Sequence, residues 1–505
     1  MSLTLVLSSL AATAEQPNVL LLFADQHNAD VLGVAGHPIV KTPNLDKLAA
    51  EGVRFTRAYC QDAICVPSRT SLMTGQFPRT TGTLDNGDSP VSQAKLYPLQ
   101  QILQSAGYVT GCFGKRHLPR PSLALGWNHS ATVISPKQDP SEENYDDWIL
   151  TRGAGQVEAF KRDNPGSLKS DMGCHISEVE PDNRIEAYTA TKTKEFLRDC
   201  QKQGKPFFCW CSFHGPHQPY TPPAKWANLY PVEKMPLPAS WNEPADHLPP
   251  GLQHWRVRTA TPWDLAKAAE DPALYQKYIA YYYAQVTEVD HYLGEVLAEL
   301  DALGLRDNTI VIYASDHGDF VARHGMIEKC AQYHNVYEET LRVPLIISWP
   351  KKFQKGIACN GLAELIDLYP TLVDLLGLKR PTDAPKLAGL SLVPTLMNGK
   401  PTGHAYVISE NWSQVSVVAD RYKLGVWIDP TARNAQRDFR GKFPDMLFDR
   451  INDPLELTNL AGNPKYADVE KQLRGNLAEW SSHTPDDGKK AISTLPIKTK
   501  ASTEN

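Results

Sequence analysis

Three apolar runs in the chain each stop abruptly on polar, ionisable residues. Residues 18–24 (NVLLLFA) stop at Asp25, Gln26 and His27, residues 206–213 (PFFCWCSF) at His214, and residues 309–315 (TIVIYAS) at Asp316 and His317. Short runs without polar alternation fit strands covered on both faces, as in a parallel sheet flanked by helices. A fourth run, residues 343–349 (VPLIISW), has the same character. An open α/β sheet whose strands deliver polar groups at their C-terminal ends builds its site there.

Helical patterns alternate with these runs. Ile279, Tyr282, Val286, Val289, Leu293, Val296, Leu297 and Leu300 fall at three- and four-residue steps, which predicts one long helix over 275–303, closed by Gly304. A shorter helix opens at Thr42-Pro43 and carries Leu45, Leu48 and Ala49, and another spans 99–106 before Gly107. Residues 119–180 and 215–265 read as long irregular loops, of the kind that often face substrate. Past residue 385 the pattern changes to short strands at 404–409, 415–420 and 422–427 and a helix at 465–480. The expected fold is therefore α/β: a large mixed, mostly parallel sheet flanked by helices, with a smaller C-terminal antiparallel sheet plus helix. A length of 505 residues suits that division. The expected boundaries are a signal segment at 1–16, a catalytic domain at 17–385, an α+β subdomain at 386–485 and a loose tail at 486–505.

Net charge and cysteines narrow the function. A formal charge of −5 argues against a general nucleic-acid binder, and no stretch is apolar enough to span a bilayer. The N-terminus, MSLTLVLSSLAATA, has the apolar core and A-x-A site of a secretion signal without its basic start, so a periplasmic or secreted location is expected. Nine cysteines are too few for a disulfide scaffold, and most read as buried thiols.

Cys65 is the exception. Cys65-Val66-Pro67-Ser68-Arg69, followed by Thr74-Gly75, resembles the C-x-P-S-R signature of the type I, formylglycine-dependent sulfatases of the alkaline phosphatase superfamily. Gly114-Lys115-Arg116-His117-Leu118 is similar to that family's G-K-x-H-L segment, and His214-Gly215-Pro216-His217 to its H-x-P-H segment. Ser315-Asp316-His317-Gly318 is similar to its second metal segment, with Lys329 downstream. The resemblance covers residues 17 to 462, in the family's order.

The resemblance implies an alkaline-phosphatase-like fold and a sulfuric ester hydrolase. A maturating enzyme, either formylglycine-generating or the anaerobic type, would oxidise Cys65 to formylglycine. The hydrated aldehyde would attack sulfur through one hydroxyl, and deprotonation of the second would eject sulfate. Asp25, Gln26, Asp316 and His317, with residue 65, would hold one divalent metal. Ca2+ is expected, with Mn2+ or Mg2+ left open because Gln26 and His317 replace the more usual Asp and Asn. Arg69 would support the nucleophile and metal. Lys115, His214 and Lys329 would bind sulfate, with His117 as base and His214 as acid, given a pKa in the working range. His217 and His324 are read as structural hydrogen-bonders.

That assignment is chemically coherent. A sulfate monoester resists attack because its anionic oxygens repel a nucleophile. A site must neutralise charge, supply the nucleophile and assist the leaving alcohol. The expected substrate is a sulfated carbohydrate, as in degradation of sulfated polysaccharides, with Trp127, Trp148, Trp210, Trp226, Trp241, Trp255 and Trp263 as candidate stacking faces. The alternatives are an aryl or choline-type sulfatase, a phosphodiester or phosphonate monoester hydrolase of the same superfamily, and a non-catalytic binder of sulfated glycans.

Overall fold

Residues 16–87, 95–119, 126–133, 142–163, 173–249, 252–253, 256, 271–329, 336–410, 413–428 and 442–484 are described by the computed structural model. The signal segment, the tail, Trp255, Trp263 and Cys330 lie outside them. The run at 18–24 becomes β1 (Asn18–Asp25), and all eight of its residues are buried. It is the middle of a nine-stranded sheet whose other members are β2 (Val53–Tyr59), β3 (Val109–Gly114), β4 (His129–Thr132), β5 (Glu143–Asn144), β6 (Phe207–Pro216), β7 (Thr309–Ser315), β8 (Arg342–Ser348) and β9 (Ile357–Glu364). The order is β5-β4-β3-β6-β1-β7-β8-β2-β9, and only β8 runs against the rest.

Every residue of β1, β6 and β7 is buried, so both faces of these strands are covered and they carry no polar alternation. The helix α1 (Pro43–Ala50) buries Leu45, Leu48 and Ala49. The helix α2 (Cys65–Thr74) follows β2. The helix α3 (Ile185–Gln203) packs on β3, β6 and the long helix α4 (Pro272–Ala302). The α4 stripe predicted from three- and four-residue spacing is buried at Ile279, Tyr282, Val286, Val289, Leu293, Val296 and Leu300.

A four-stranded antiparallel sheet forms separately from β10 (Tyr406–Glu410), β11 (Gln414–Ala419), β12 (Tyr422–Trp427) and β13 (Met446–Asp449), in that order. The helix α5 (Ala467–His483) lies against it. Their side chains form a second apolar cluster that also takes in Phe77 and Ile366 of the larger part.

Two expectations are corrected. The stretch 119–180 holds β4, β5 and helical turns at Tyr145–Leu150 and Ala154–Asp163, whose short lengths escape periodicity. Of the seven candidate tryptophans the five that are described are packing groups: Trp210 and Trp226 are buried, and Trp127, Trp148 and Trp241 pack against the same core. Trp127 stacks on Phe208 with centroids 5.7 Å apart. Stacking energy is spent inside the protein, so they are not free faces for a sugar ring.

Candidate active site

β1 lies between β6 and β7, with Ala24 opposite Ser315 and Asp25 opposite Pro216. The end of β1, the turn closing β6 and the residues past β7 therefore emerge on one rim. β3 adds a fourth strand end beside β6, where the Lys115 amide donates to the Ser212 carbonyl at 2.8 Å. Gly114 makes this possible. Its φ is +95°, and a Cβ there would stand 1.9 Å from the Ser212 oxygen.

Cys65 arrives from another direction, as the first residue of α2. All ten residues of α2 are buried, including Ser68, Arg69, Thr70, Ser71 and Thr74. Polar groups held this deep need partners. Ser68 Oγ donates to the Asp316 carbonyl at 2.6 Å. Arg69 donates from Nε to Asp316 Oδ2 at 2.7 Å, and from Nη2 to Asp25 Oδ2 at 3.0 Å. Its Nη1 reaches the Lys115 carbonyl at 2.6 Å and Ser212 Oγ at 2.9 Å. One guanidinium thus ties together the ends of β1, β3, β6 and β7, which a single-point ammonium could not do.

Each carboxylate presents its second oxygen to His317. His317 Nε2 lies 3.7 Å from Asp25 Oδ1, 3.7 Å from Asp316 Oδ1 and 3.3 Å from Cys65 Sγ. The ligand atoms of Asp25, Cys65, Asp316 and His317 all lie within 4.8 Å of one another. His317 Nδ1 stands 2.9 Å from the Gly318 carbonyl, which only an N–H can satisfy, so Nε2 faces the pocket. Burial opposes its charged form, but Asp316 and Cys65 raise its pKa, so Nε2 would offer a lone pair once a cation takes the place of its proton. Two carboxylates and a fixed imidazole, all buried and converging beside residue 65, fit a divalent cation.

Charge is distributed to stabilise an anion at residue 65. Burial would raise the Asp25 carboxyl, but Lys115, His217, Arg69 and His317 outweigh it and hold it well below the carboxylate range. Asp316 is raised by burial and by Asp25. Burial and Asp25 oppose ionisation of the Cys65 thiol, yet Lys115, Lys329 and His317 pull it well below its usual value. The position is the N-terminus of a helix, which adds to the effect.

The predicted sulfate ligands gather here. Lys115 Nζ lies 2.6 Å from Asp25 Oδ2 and 3.9 Å from Cys65 Sγ. Lys329 Nζ donates to Gln26 Oε1 at 2.8 Å and to His217 Nε2 at 3.0 Å. His214 Nε2 lies 2.9 Å from the Gln218 carbonyl, while its Nδ1 is buried and lacks a hydrogen-bond partner among the described residues. His117 follows Lys115 by two residues, half-buried, with φ +45°.

Two readings change. His214 does not titrate in the working range: burial, Lys115 and His217 hold it well below 6.5, so it is neutral in the free protein. His217, read as structural, reaches the site, with Nε2 3.9 Å from Asp25 Oδ1 as well as 3.0 Å from Lys329. Its Nδ1 donates to the Gln218 carbonyl at 3.0 Å, and burial with Lys329 and Lys115 holds its pKa at about 4. The available signal was the pair of histidines bracketing one Gly-Pro turn. Ser68 lay inside the motif at 65–69 without a role of its own, and Ser212 and Asp319 gave no signal at all. Gln26, expected among the metal ligands, instead points its oxygen at Lys329 and its amide nitrogen at Asp319 Oδ2, each 2.8 Å away.

A strand-end cluster of carboxylates and an imidazole that could hold a metal ion, beside Cys65 on this sheet, fits an alkaline-phosphatase-like fold. The chain belongs to the sulfatase family: the family model described as Sulfatase matches residues 17–378, and the one described as N-sulphoglucosamine sulphohydrolase, C-terminal, matches residues 323–483. It is 29% identical to the arylsulfatase of Clostridium perfringens, over 96% of this chain and 99% of that one. It is 26% identical to the N-acetylglucosamine-6-O-sulfatase of Bacteroides thetaiotaomicron, over 94% and 87%. Its fold matches the crystal structure of the phosphonate monoester hydrolase of Agrobacterium radiobacter with a TM-score of 0.76 at 24% identity, over 93% and 96%. The protein is a sulfuric ester hydrolase.

Proposed function

We propose that the enzyme removes sulfate from a sulfated carbohydrate through a formylglycine made from Cys65 and one divalent cation, Ca2+ in the first instance and Mn2+ or Mg2+ as alternatives. The observation that carries this is the convergence of Asp25, Asp316 and His317 on residue 65, with Lys115 and Lys329 beside it. Cys65 Sγ stands where an oxygen of the hydrated aldehyde would sit. A hydrate offers a second hydroxyl that a thiol lacks, so the site could release sulfate without a separate water attack.

Asp25, Asp316 and His317 would hold the cation, whose chemistry is to neutralise and polarise the sulfate oxygens. Arg69 takes one oxygen of each carboxylate and so turns the other, Asp25 Oδ1 and Asp316 Oδ1, toward His317. Lys115 and Lys329 bind the remaining sulfate charge as point cations. His217 orients Lys329. His214 offers its buried Nδ1 to the bridging oxygen and takes a proton once a bound anion supplies the counter-charge the free site lacks. His117 serves the second hydroxyl. Carbohydrate as substrate draws support from relatives such as the N-acetylglucosamine-6-O-sulfatase.

The same reading assigns catalysis to residues 17–385, gives 386–485 a supporting subdomain, and places the enzyme in the periplasm or outside the cell after maturation. No described helix is long and apolar enough to cross a membrane. A second reading, phosphonate monoester or phosphodiester hydrolysis, fits the fold shared with the phosphonate monoester hydrolase of Agrobacterium radiobacter.

A peptide mass spectrum across Cys65, from the native host, tests the nucleophile. Cys65→Ala should fold and lose essentially all turnover, whereas full activity in protein carrying only unmodified cysteine sinks the mechanism. A panel of defined sulfated saccharides, run beside an aryl sulfate and a phosphonate monoester, tests the substrate. Turnover of the phosphonate ester alone overturns the sulfated-carbohydrate reading.

A further inference from the structure

Lys329 stands on a strained strap. Val321, Ala322, His324 and Glu328, none of them glycine, have φ of +48°, +65°, +57° and +55°. Left-handed residues in such number, one of them β-branched, persist only where the surroundings over-determine them. The strap is closed by Phe320 N to the Glu328 carbonyl at 2.8 Å and by Tyr275 OH to the Gly325 carbonyl at 2.6 Å. At its root is Asp319, a fully buried carboxylate that no motif singled out. Asp319 Oδ1 accepts from Val321 N at 2.7 Å and from Tyr278 OH. Asp319 Oδ2 accepts from Gln26 Nε2 at 2.8 Å and from Tyr220 OH at 3.4 Å.

We propose that Asp319 is a positioning residue for sulfate binding, acting through Gln26 on Lys329. This rests on the reading of Lys329 as a sulfate ligand. The Gln26 side chain spans two charges of opposite sign. Its amide nitrogen meets the Asp319 carboxylate, and its oxygen meets the Lys329 ammonium at 2.8 Å. Flipping the amide would set N–H against ammonium and oxygen against carboxylate, so the two charges fix one orientation. Gln26 is itself locked, with φ +68° and its carbonyl accepting from Tyr282 OH at 2.6 Å. Gln26 Oε1 and His217 Nε2 both accept from the Lys329 ammonium, at 2.8 and 3.0 Å, and so fix where it points. Lys115 instead is paired directly with Asp25.

Asp319→Asn reverses the relay by a defined route. An amide has one oxygen, and Val321 N–H can only donate, so the oxygen takes the Val321 side. The new NH2 then faces Gln26, which flips and turns its own NH2 toward Lys329. The measurement is competitive inhibition by inorganic sulfate of nitrophenyl sulfate hydrolysis by the matured enzyme. Asp319→Asn should raise the sulfate inhibition constant on the order of tenfold, the size of one misaligned charged hydrogen bond. Lys329→Met should raise it at least as much, and the double variant no further than Lys329→Met alone. An Asp319 that merely supports the fold would lower the melting temperature, leave the inhibition constant alone and multiply with Lys329→Met. Either of the last two results overturns the inference. If Lys329→Met leaves sulfate inhibition unchanged, the reading of the lysine fails and the inference falls with it. Should Asp319→Asn not fold, Gln26→Met removes the same link. It should give the same rise, absent in the Lys329→Met background, and no rise overturns the inference.

Discussion

Three of the four site histidines, His317, His217 and His214, differ in what their ring nitrogens can do. His317 is committed: Nδ1 to a carbonyl, Nε2 to the pocket. His217 gives Nδ1–H to Gln218 and accepts from Lys329, so it serves a lysine. His214 shares the Gln218 carbonyl but leaves Nδ1 inside the site. Protonating the leaving oxygen matters only for a poor leaving group such as a sugar hydroxyl. His214→Ala should therefore slow a sugar sulfate by roughly 10²–10⁴-fold and spare a nitrophenyl sulfate. His217→Ala should weaken both substrates alike, mainly through KM, because it loosens Lys329. His117→Ala should leave a burst followed by stalled turnover on both, with a sulfated protein adduct visible by mass spectrometry. Equal losses for the two substrates in His214→Ala would remove its acid role. Asp316→Ala should lose metal, read by elemental analysis, together with activity. A metal-free preparation turning over at the wild-type rate would refute the cation's part.

At the scale of elements, α2 and the segment after it join the site to the C-terminal sheet. The chain leaves α2 at Gly75 and passes Phe77 and Arg79, which meet α5. Phe77 packs edge-on against Trp480 at 5.3 Å, and the Arg79 guanidinium lies 4.0 Å over the same indole. Arg79 Nε is bonded to Glu410 Oε2 of β10 at 2.7 Å. Trp480→Ala should cost about 3–5 kcal/mol, the range for deleting a buried aromatic, read by urea unfolding. Because Trp480 holds the segment that directly follows α2, the helix carrying Cys65, activity should fall before the fold is lost. Activity that tracks global unfolding alone would separate the C-terminal helix from the site. The linear motif around Cys65 gave no hint of this dependence, because a motif reports only neighbours along the chain.

Across the whole molecule, one buried cluster couples the two sheets to pH. His404 Nε2 donates to Asp367 Oδ2 at 2.8 Å, and Glu364 Oε1 accepts from Ile408 N of β10 at 2.8 Å. Asp367 also receives Leu390 N at 2.7 Å, so these carboxylates are occupied by backbone donors and read as structure, not as a second metal site. Burial would lower the His404 pKa, but Asp367 and Glu364 push it up to about 9, while burial lifts Glu364 to about 7. A histidine raised above its unfolded value of about 6.5 stabilises fully below that pH and loses its contribution as pH rises through about 9. The charged Glu364 adds a loss in the same direction through about 7. His404→Gln should therefore destabilise by up to about 3 kcal/mol at pH 6, with the difference from wild type shrinking toward pH 9.5. A difference constant across that range would show that His404 carries no linked proton.

Much of the architecture was legible in the chain, for a physical reason. Unbroken apolar runs require cover on both faces, which marked β1, β6, β7 and β8 as central strands and placed Asp25, His214 and Asp316 at their ends. Helical spacing located α4, and the motif at residues 65–69 singled out the residue proposed as the nucleophile. Short edge strands such as β4 and β5 carried no such pattern. The roles of Gln26, His217 and Asp319 were decided only by folding. Gln26 and Lys329 are 303 residues apart, and nothing in linear sequence tells an amide which of its two ends will meet a charge. The protonation of His214 was likewise out of reach, because it depends on how deeply the ring is buried and on which cations surround it. Sequence pattern encodes which faces avoid water; which charges then face one another is settled by tertiary contact alone.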